Sequence, residues 1–159
     1  MAAYAKPSLL GKPAPDFALP SVGGGNERLS EHRGEVVVVA FWSSRCSLCA
    51  PQLAALDALY ATYHSAGLVT LAVSVDDDLA RAREYANAHA AKFPLLIDAS
   101  KSVSRDYDIA QLPTLVLIDR SGRVRYLHAD YRANDSSYVD EVRVLLDDAV
   151  TTTSTSTVQ

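Results

Sequence analysis

Continuous apolar runs and amphipathic segments alternate along most of this chain. The β-branched run of residues 36–41 is typical of a strand that is covered on both faces. Apolar residues then recur every three or four positions over residues 49–66, which predicts a helix that ends at Gly67. Residues 68–75 form another apolar run and predict a second strand. A strand, a helix and a strand in this order indicate a βαβ unit.

The second half of the chain predicts a helix, an extended segment, a helical turn, a strand hairpin and a final helix. These elements are expected at residues 79–91, 93–98, 103–107, 115–119 with 124–128, and 138–150. Asp78 is expected to cap the first of these helices, and Ser136 or Ser137 the last. The complete order of elements predicts an α/β domain whose central β-sheet is mixed and flanked by helices.

The two ends of the chain have a different composition. Residues 11–20 are rich in proline and predict an extended surface segment that leads to a turn at residues 23–25. Residues 151–159 are polar and of low complexity, which predicts a disordered tail. We therefore assign residues 1–150 to one domain and residues 151–159 to the tail.

Length and charge narrow the functional classes. The chain has 159 residues and a formal net charge of -4, and its lysines and arginines are scattered, so no nucleic-acid partner is expected. The longest apolar run, residues 36–42, is too short to cross a membrane. The first residues lack the charged and apolar regions of a secretory signal. These features predict a globular protein without a membrane span in this sequence.

Both cysteines of the chain, Cys46 and Cys49, fall where the first strand gives way to the first helix. Unpaired N–H groups and the helix dipole favour an anion at that place, so the thiolate of Cys46 is stabilised. Arg45 adds a positive charge beside it. Cys49, three residues later, can reach Cys46 and close a disulfide. The pattern predicts a redox-active pair in which Cys46 attacks and Cys49 resolves.

Structural and metal-binding roles for the same cysteines are the alternatives. A structural disulfide across so short a loop would contribute only about 2 kcal/mol, which a domain of this size does not need. Two cysteines supply half of a typical zinc site, and none of the four histidines is spaced to complete it. A C-x-x-C motif near a βαβ unit is more typical of redox chemistry. We therefore expect no metal site.

Five segments, taken in order, resemble the TlpA/ResA-type thiol-disulfide oxidoreductases of the thioredoxin superfamily. The resemblance extends from residue 10 to about residue 150. The segments are GKPAPDFALP, RLSEHRGEVVVVAFWSSRCSLC, LVTLAVSVDD, FPLLID and LPTLVLIDRSGRV. The resemblance implies a thioredoxin-like fold with an N-terminal β-hairpin extension and a catalytic pair at Cys46 and Cys49.

The resemblance also implies that Pro113 is a cis proline that faces the disulfide. Without it, Pro113 would be predicted as an ordinary proline at the start of a strand, because few X-Pro bonds are cis. In such a loop the backbone of Leu112 would pair with an extended substrate segment. Trp42, Arg45 and Leu112 are therefore the candidate substrate-binding residues, and Pro113 is included among the catalytic ones.

The chain departs from the family pattern in its acidic residues. Thioredoxins bury an aspartate where this chain has Ala40, and relatives commonly have glutamate where it has Gln52. Proteins of the ResA type place a glutamate just beyond the second strand, where Asp77 stands here. We predict that Asp77 takes the proton from Cys49, provided that it is desolvated.

Asp76 and Asp78 compete with Asp77 for that role. The alternative is that all three aspartates form a solvated loop in which Asp78 only caps a helix.

The resulting functional prediction is a thiol-disulfide oxidoreductase that exchanges disulfides with protein substrates and needs no bound cofactor. The resemblance favours a monomeric reductase in a periplasmic or other extracytoplasmic compartment, served by an upstream redox partner, although this N-terminus would also permit a cytoplasmic protein. Two alternatives use the same cysteines. One is a peroxiredoxin-like thiol peroxidase, with Ser43 supplying a hydroxyl, and the other is a metallochaperone that binds Cu(I) through thiolates.

Overall fold

The computed structural model describes residues 9–89, 91–132 and 135–155. The strands are β1 (Ala18–Pro20), β2 (Asn26–Arg28), β3 (Val36–Trp42), β4 (Leu68–Ser74), β5 (Leu95–Ile97), β6 (Thr114–Ile118) and β7 (Val124–His128). The α-helices are α1 (Cys49–Tyr63), α2 (Leu79–His89), α3 (Ser102–Asp106) and α4 (Ser137–Thr155). Each predicted strand and helix is present, with ends that differ by a few residues.

Five strands form the central sheet, in the order β5-β4-β3-β6-β7. The central strand β3 pairs in parallel with β4 and antiparallel with β6, so the sheet is mixed as predicted. All seven residues of β3 are buried, because both faces of the sheet are covered. β1 and β2 form a separate antiparallel hairpin, which confirms the N-terminal extension. The architecture is the predicted thioredoxin-like α/β fold.

Successive residues of β3 point to opposite faces of the sheet and enter two different cores. Val38, Ala40 and Trp42 pack in the core formed with α1, α2 and α4. Val39 and Phe41 pack in the other core, with α3 and the N-terminal segment. The end of β3 is therefore held from both sides at the point where the cysteine loop leaves the sheet.

Helix α1 begins at Cys49, as predicted, but ends at Tyr63, three residues before the predicted end at residue 66. Pro51 lies in the first turn, where its missing N–H removes no helical hydrogen bond. A short 3₁₀ turn over His64–Ala66 continues to Gly67, whose φ of 105° is the left-handed conformation that glycine adopts without strain. The chain then enters β4, which lies beside β3.

The N-terminal segment is more than the surface segment that its prolines predicted. Ala14, Phe17 and Leu19 are buried in the second core. The hydroxyl of Tyr107 donates a hydrogen bond of 2.7 Å to the carbonyl of Pro15. The prediction of a purely external segment is therefore wrong, because the second face of the sheet needs an apolar cover and this segment supplies it.

The helix starts and the C-terminal tail give mixed results. Asp78 caps α2 as predicted, since its Oδ1 accepts hydrogen bonds from the N–H groups of Ala80 and Arg81. At the start of α4, Asp135 Oδ1 accepts the N–H of Ser137, so a carboxylate takes the role predicted for serine.

Helix α4 reaches five residues into the predicted tail, and residues 156–159 lie outside the described part. No helix in the described ranges is both long and apolar enough to cross a membrane.

Candidate active site

Cys46 and Cys49 form a disulfide in the loop between β3 and α1, with their Cα atoms 5.4 Å apart. Cys46 is half-buried, whereas Cys49 is completely buried in the core under α1. Only Cys46 is therefore open to a large partner. The difference in exposure favours the predicted roles, in which Cys46 attacks and Cys49 resolves, and these roles stay a prediction.

The backbone around the disulfide forms two successive turns. The N–H of Cys46 donates to the carbonyl of Ser43 at 3.1 Å, and the N–H of Cys49 donates to the carbonyl of Cys46 at 3.2 Å. Cys49 is the first residue of α1, so Cys46 lies just before the positive end of the helix dipole. The first turn of α1 contains no acidic side chain. The helix end is therefore available to stabilise a Cys46 thiolate.

Leu112 and Pro113 lie at the same edge of the sheet as the cysteine loop. Thr114 pairs with Phe41, one residue before the end of β3, and Pro113 directly precedes it. The Leu112–Pro113 peptide bond is cis, as predicted, and the expectation that Pro113 faces the disulfide stays a prediction. Pro113 is buried and Leu112 is half-buried. Pairing of Leu112 with a substrate backbone stays a prediction.

A groove of about 250 Å³ borders this proline loop. Val75 and Leu112 contribute apolar surface, and Lys101 contributes a positive charge. Ser104 and residues 109–111 complete its wall. The sequence contains no signal for this groove, because it forms only when the β4–α2 loop, α3 and the proline loop come together.

Asp77 does not occupy the desolvated position that its predicted role requires. Its side chain is 86% exposed and forms an ion pair with Lys101 at 2.5 Å. The prediction of Asp77 as the proton acceptor is therefore not supported by its place in the fold.

Asp76 is the buried member of the aspartate run, at 6% exposed. Burial alone would raise its pKa, but hydrogen bonds from Ser44, Ser74 and Ser43 outweigh burial and hold the pKa below its ordinary value of 3.8. Asp76 is consequently ionised at neutral pH. The sequence named Asp76 only as a competitor for proton transfer, and nothing in the sequence distinguished its burial from that of Asp77.

Trp42 and Arg45, both predicted to contact substrate, lie in different environments. Trp42 is 1% exposed and stacks on Tyr85 at 4.9 Å between ring centroids, so it supports the loop from inside and a substrate cannot reach it. Its prediction as a substrate-binding residue is wrong, because it is the last residue of a strand whose residues are all buried. Arg45 is exposed next to Cys46, and its contact with substrate stays a prediction.

Leu48 is a surface residue that the sequence analysis did not single out. It lies between the two cysteines and is 48% exposed. A large apolar side chain at this position can contact any partner that reaches Cys46. The available signal was its place inside the C-x-x-C motif, where the helix turn directs intervening residues outward.

The geometry bears on the two alternative functions. The hydroxyl of Ser43, which could imitate a peroxidase hydroxyl, donates instead to Asp76 Oδ1 at 2.9 Å. Among the described residues, no group of three or more histidine, cysteine or acidic side chains could hold a metal ion. Neither arrangement favours a peroxidase or a metal carrier over disulfide exchange.

Comparisons with known proteins identify the family of this chain and its thiol-disulfide oxidoreductase relatives. The model of the AhpC/TSA family matches residues 10–127. The thiol-disulfide oxidoreductase ResA of Geobacillus kaustophilus is 34% identical over 118 residues, covering 74% of this chain and 68% of the relative. The thioredoxin-like protein YneN of Bacillus subtilis is 30% identical over 121 residues, covering 74% of this chain and 70% of the relative.

A solved structure from Chlorobium tepidum, of a protein assigned as the thiol:disulfide interchange protein DsbE, superposes with a TM-score of 0.77. It is 30% identical, and the match covers 88% of this chain and 96% of that one. A solution structure of a protein from Bacteroides thetaiotaomicron has a TM-score of 0.78 at 24% identity, which supports the fold alone. Sequence and structure thus lead to the same group of proteins.

Proposed function

This chain belongs to the AhpC/TSA family of thioredoxin-like proteins and is a thiol-disulfide oxidoreductase, and from that premise we propose that it reduces disulfides of protein substrates in an extracytoplasmic compartment. The observation that carries the proposal is the pairing of a half-buried Cys46 with a fully buried Cys49 in one disulfide. An accessible attacking sulfur with a protected second sulfur is the arrangement that two-step exchange requires.

The reaction begins with the reduced dithiol. The Cys46 thiolate attacks one sulfur of the substrate disulfide, forms a mixed disulfide and releases the other substrate sulfur as a thiolate. Cys49 then loses its proton and attacks the Cys46 sulfur, which releases the second substrate thiolate. The two released thiolates take up protons, and two electrons pass from the dithiol to the substrate. The protein is left with the Cys46–Cys49 disulfide, which an upstream reductant must reopen.

The surface around Cys46 supports a protein rather than a small-molecule substrate. Arg45 and Leu48 are exposed beside the disulfide, and the groove next to Leu112 can accept an extended segment. The backbone of Leu112 is the group we assign to pair with that segment. Pro113 is buried and directly precedes Thr114, which pairs with Phe41 near the end of β3.

The direction of electron flow is proposed from the resemblance to the TlpA/ResA-type proteins, which favours a reductase. A reductase requires a potential closer to the value of about −270 mV of thioredoxin than to the value of about −120 mV of the oxidant DsbA. Equilibration of the protein with glutathione buffers, followed by alkylation of free thiols, measures this potential. A value near that of DsbA would reverse the proposed direction while leaving the exchange chemistry intact.

Compartment and assembly are also proposals. We assign the protein to the outside of the cytoplasm and expect it to act as a monomer. Fractionation of source cells and light scattering of the purified protein test the two assignments separately. Recovery in the cytosolic fraction, or a stable dimer, would contradict the corresponding one.

The activity itself is tested by reduction of insulin with dithiothreitol as electron source. The native protein should accelerate precipitation of the insulin B chain, and Cys46→Ser should abolish the acceleration. Parallel assays should show neither sustained consumption of hydrogen peroxide nor retention of Cu(I) against a chelator. Peroxide turnover or tight Cu(I) binding without insulin reduction would replace the proposed function with one of the alternatives.

A further inference from the structure

We propose that Asp76 is a positioning residue of this active site: its carboxylate anchors the Ser43–Ser44 turn and thereby fixes the loop that presents Cys46. The proposal concerns the same disulfide exchange, but it gives Asp76 a role other than proton transfer. Asp76 follows β4, and the two serines follow β3, so the anchor joins the ends of two neighbouring parallel strands.

Five hydrogen bonds of 2.7–3.0 Å converge on this carboxylate. Oδ1 accepts from the hydroxyl of Ser43 at 2.9 Å, and from the hydroxyl and N–H of Ser44 at 2.7 and 3.0 Å. Oδ2 accepts from the N–H of Ser44 at 3.0 Å and from the hydroxyl of Ser74 at 2.8 Å. Hydrogen bonds to a buried carboxylate are stronger than those between neutral groups, so the turn is held firmly.

Ser43 passes this anchor on to the cysteine loop. Its hydroxyl, which donates to Asp76, also accepts the N–H of Arg45 at 3.2 Å. Its carbonyl accepts the N–H of Cys46 at 3.1 Å. The two residues that carry the reactive charge and the reactive sulfur are thus tied through Ser43 to one carboxylate. A shift of the carboxylate must move Cys46 relative to the start of α1.

The same contacts argue against Asp76 as the base for Cys49. The Asp76 carboxylate is 6% exposed and accepts hydrogen bonds at both oxygens, so it is held in its charged form. A general base works best when its pKa lies near the working pH, and the pKa of Asp76 lies below 3.8. Protonation would also break the bonds that hold the turn. Asp76 therefore acts by staying ionised throughout the exchange.

Variants that keep or remove the charge separate these roles. Asp76→Asn removes the charge, and Asp76→Glu keeps it but displaces it by one methylene. The double variant Ser43→Ala and Ser44→Ala leaves Asp76 unchanged. It removes the two hydroxyl contacts to Asp76 and the hydroxyl that accepts the N–H of Arg45. Asp77→Asn is the matched control, because Asp77 is exposed and its ion pair is with Lys101 rather than with the Ser43–Ser44 turn. Circular dichroism and thermal melting check that each variant folds.

The measurement is the rate at which the reduced protein attacks a small aromatic disulfide, followed across pH, together with the amount of mixed disulfide present. We expect Asp76→Asn, Asp76→Glu and the double serine variant each to slow the first attack on the order of tenfold. Each should also raise the pH midpoint of Cys46 reactivity, because Cys46 is no longer held at the start of α1. Asp77→Asn should behave like the native protein. Asp76→Asn combined with the double serine variant should be slower than native by less than the product of the two separate effects, because the two changes share the hydroxyl contacts of Ser43 and Ser44 to Asp76.

Three results would overturn the proposal. Accumulation of mixed disulfide in Asp76→Asn with an unchanged first attack would make Asp76 the base for Cys49. If Asp76→Asn lowered the pH midpoint of Cys46 reactivity and Asp76→Glu left it at the native value, Asp76 would act through its charge alone. Native rates in the double serine variant would also overturn it, and that variant decides the matter if the Asp76 variants fail to fold.

Discussion

Adjacent, chemically identical residues have different roles in this molecule. Asp76 is 6% exposed and faces the Ser43–Ser44 turn, whereas the side chain of Asp77 is 86% exposed and pairs with Lys101. The sequence located the acidic run next to the cysteine loop but did not order its members. Which one turns inward depends on where β4 ends, and that boundary is fixed by pairing with β3 rather than by local sequence.

The charge of Asp76 also makes stability depend on pH. Its pKa is lower in the folded than in the unfolded chain, so its contribution is fully present above the unfolded value near 3.8 and is lost as pH falls through the lower folded value. We predict that Asp76→Asn is less stable than the native protein at pH 6 and that the difference shrinks below about pH 4. Urea unfolding at several pH values measures it. A difference independent of pH would contradict this linkage.

Arg45 is predicted to favour the Cys46 thiolate through its charge. Arg45→Ala should raise the pH midpoint of Cys46 alkylation and slow attack at pH 7 by roughly threefold, since an exposed charge is partly screened by solvent. Arg45→Lys keeps the charge and is the control, which should remain close to native. The effect should also shrink at high salt. If Arg45→Ala left the pH midpoint of Cys46 alkylation unchanged, the start of α1 would be the main cause of thiolate stabilisation.

At the scale of elements, the strands and helices could be predicted because their patterns are strong. The apolar run of β3 and the three- and four-residue spacing of α1 leave little ambiguity. The burial of Phe17 could not be predicted, since a proline-rich segment gives no periodicity and its partner, Tyr107, is 90 residues away. The prediction that Trp42 binds substrate was wrong for a related reason, because an aromatic residue type alone does not reveal whether the end of a strand is buried or exposed.

The bond between Tyr107 and Pro15 ties the N-terminal segment to the end of α3. We predict that Tyr107→Phe lowers the free energy of unfolding by about 1 kcal/mol, since it leaves the Pro15 carbonyl without its donor while keeping the ring. Tyr63→Phe is the control, because Tyr63 is a half-buried tyrosine that packs against the other core. Denaturant titration of both variants checks the result. Equal losses would show that the bond to Pro15 contributes nothing specific.

At the scale of the whole molecule, the sheet lies between two hydrophobic cores, and the site lies at the end of its central strand. Leu145 of α4 is 1% exposed in the core under α1, whereas its neighbour Val144 is 46% exposed. We predict that Leu145→Ala lowers the free energy of unfolding by about 2 to 5 kcal/mol, because it leaves a cavity in a packed core. Val144→Ala should cost no more than about 0.5 kcal/mol. Similar losses in the two variants would mean that α4 does not pack as described.

The resemblance seen in five short segments led to the fold and to the Cys46–Cys49 pair, because the order and spacing of motifs restrict topology more than any one motif does. The groove beside Leu112 and the anchor at Asp76 could not be obtained in that way. Both depend on residues distant in sequence that meet only at the edge of the folded sheet. Composition and periodicity describe elements, whereas these features arise between elements.

The central claim is that Cys46 makes the first bond to a substrate and Cys49 breaks it. The most direct measurement is mass spectrometry of single-cysteine variants after incubation with a peptide that contains a disulfide. The account predicts that Cys49→Ser accumulates a covalent adduct on Cys46 and that Cys46→Ser forms none under the same conditions, because Cys49 is buried. An adduct on Cys49 in Cys46→Ser, formed as fast as the one on Cys46, would contradict it.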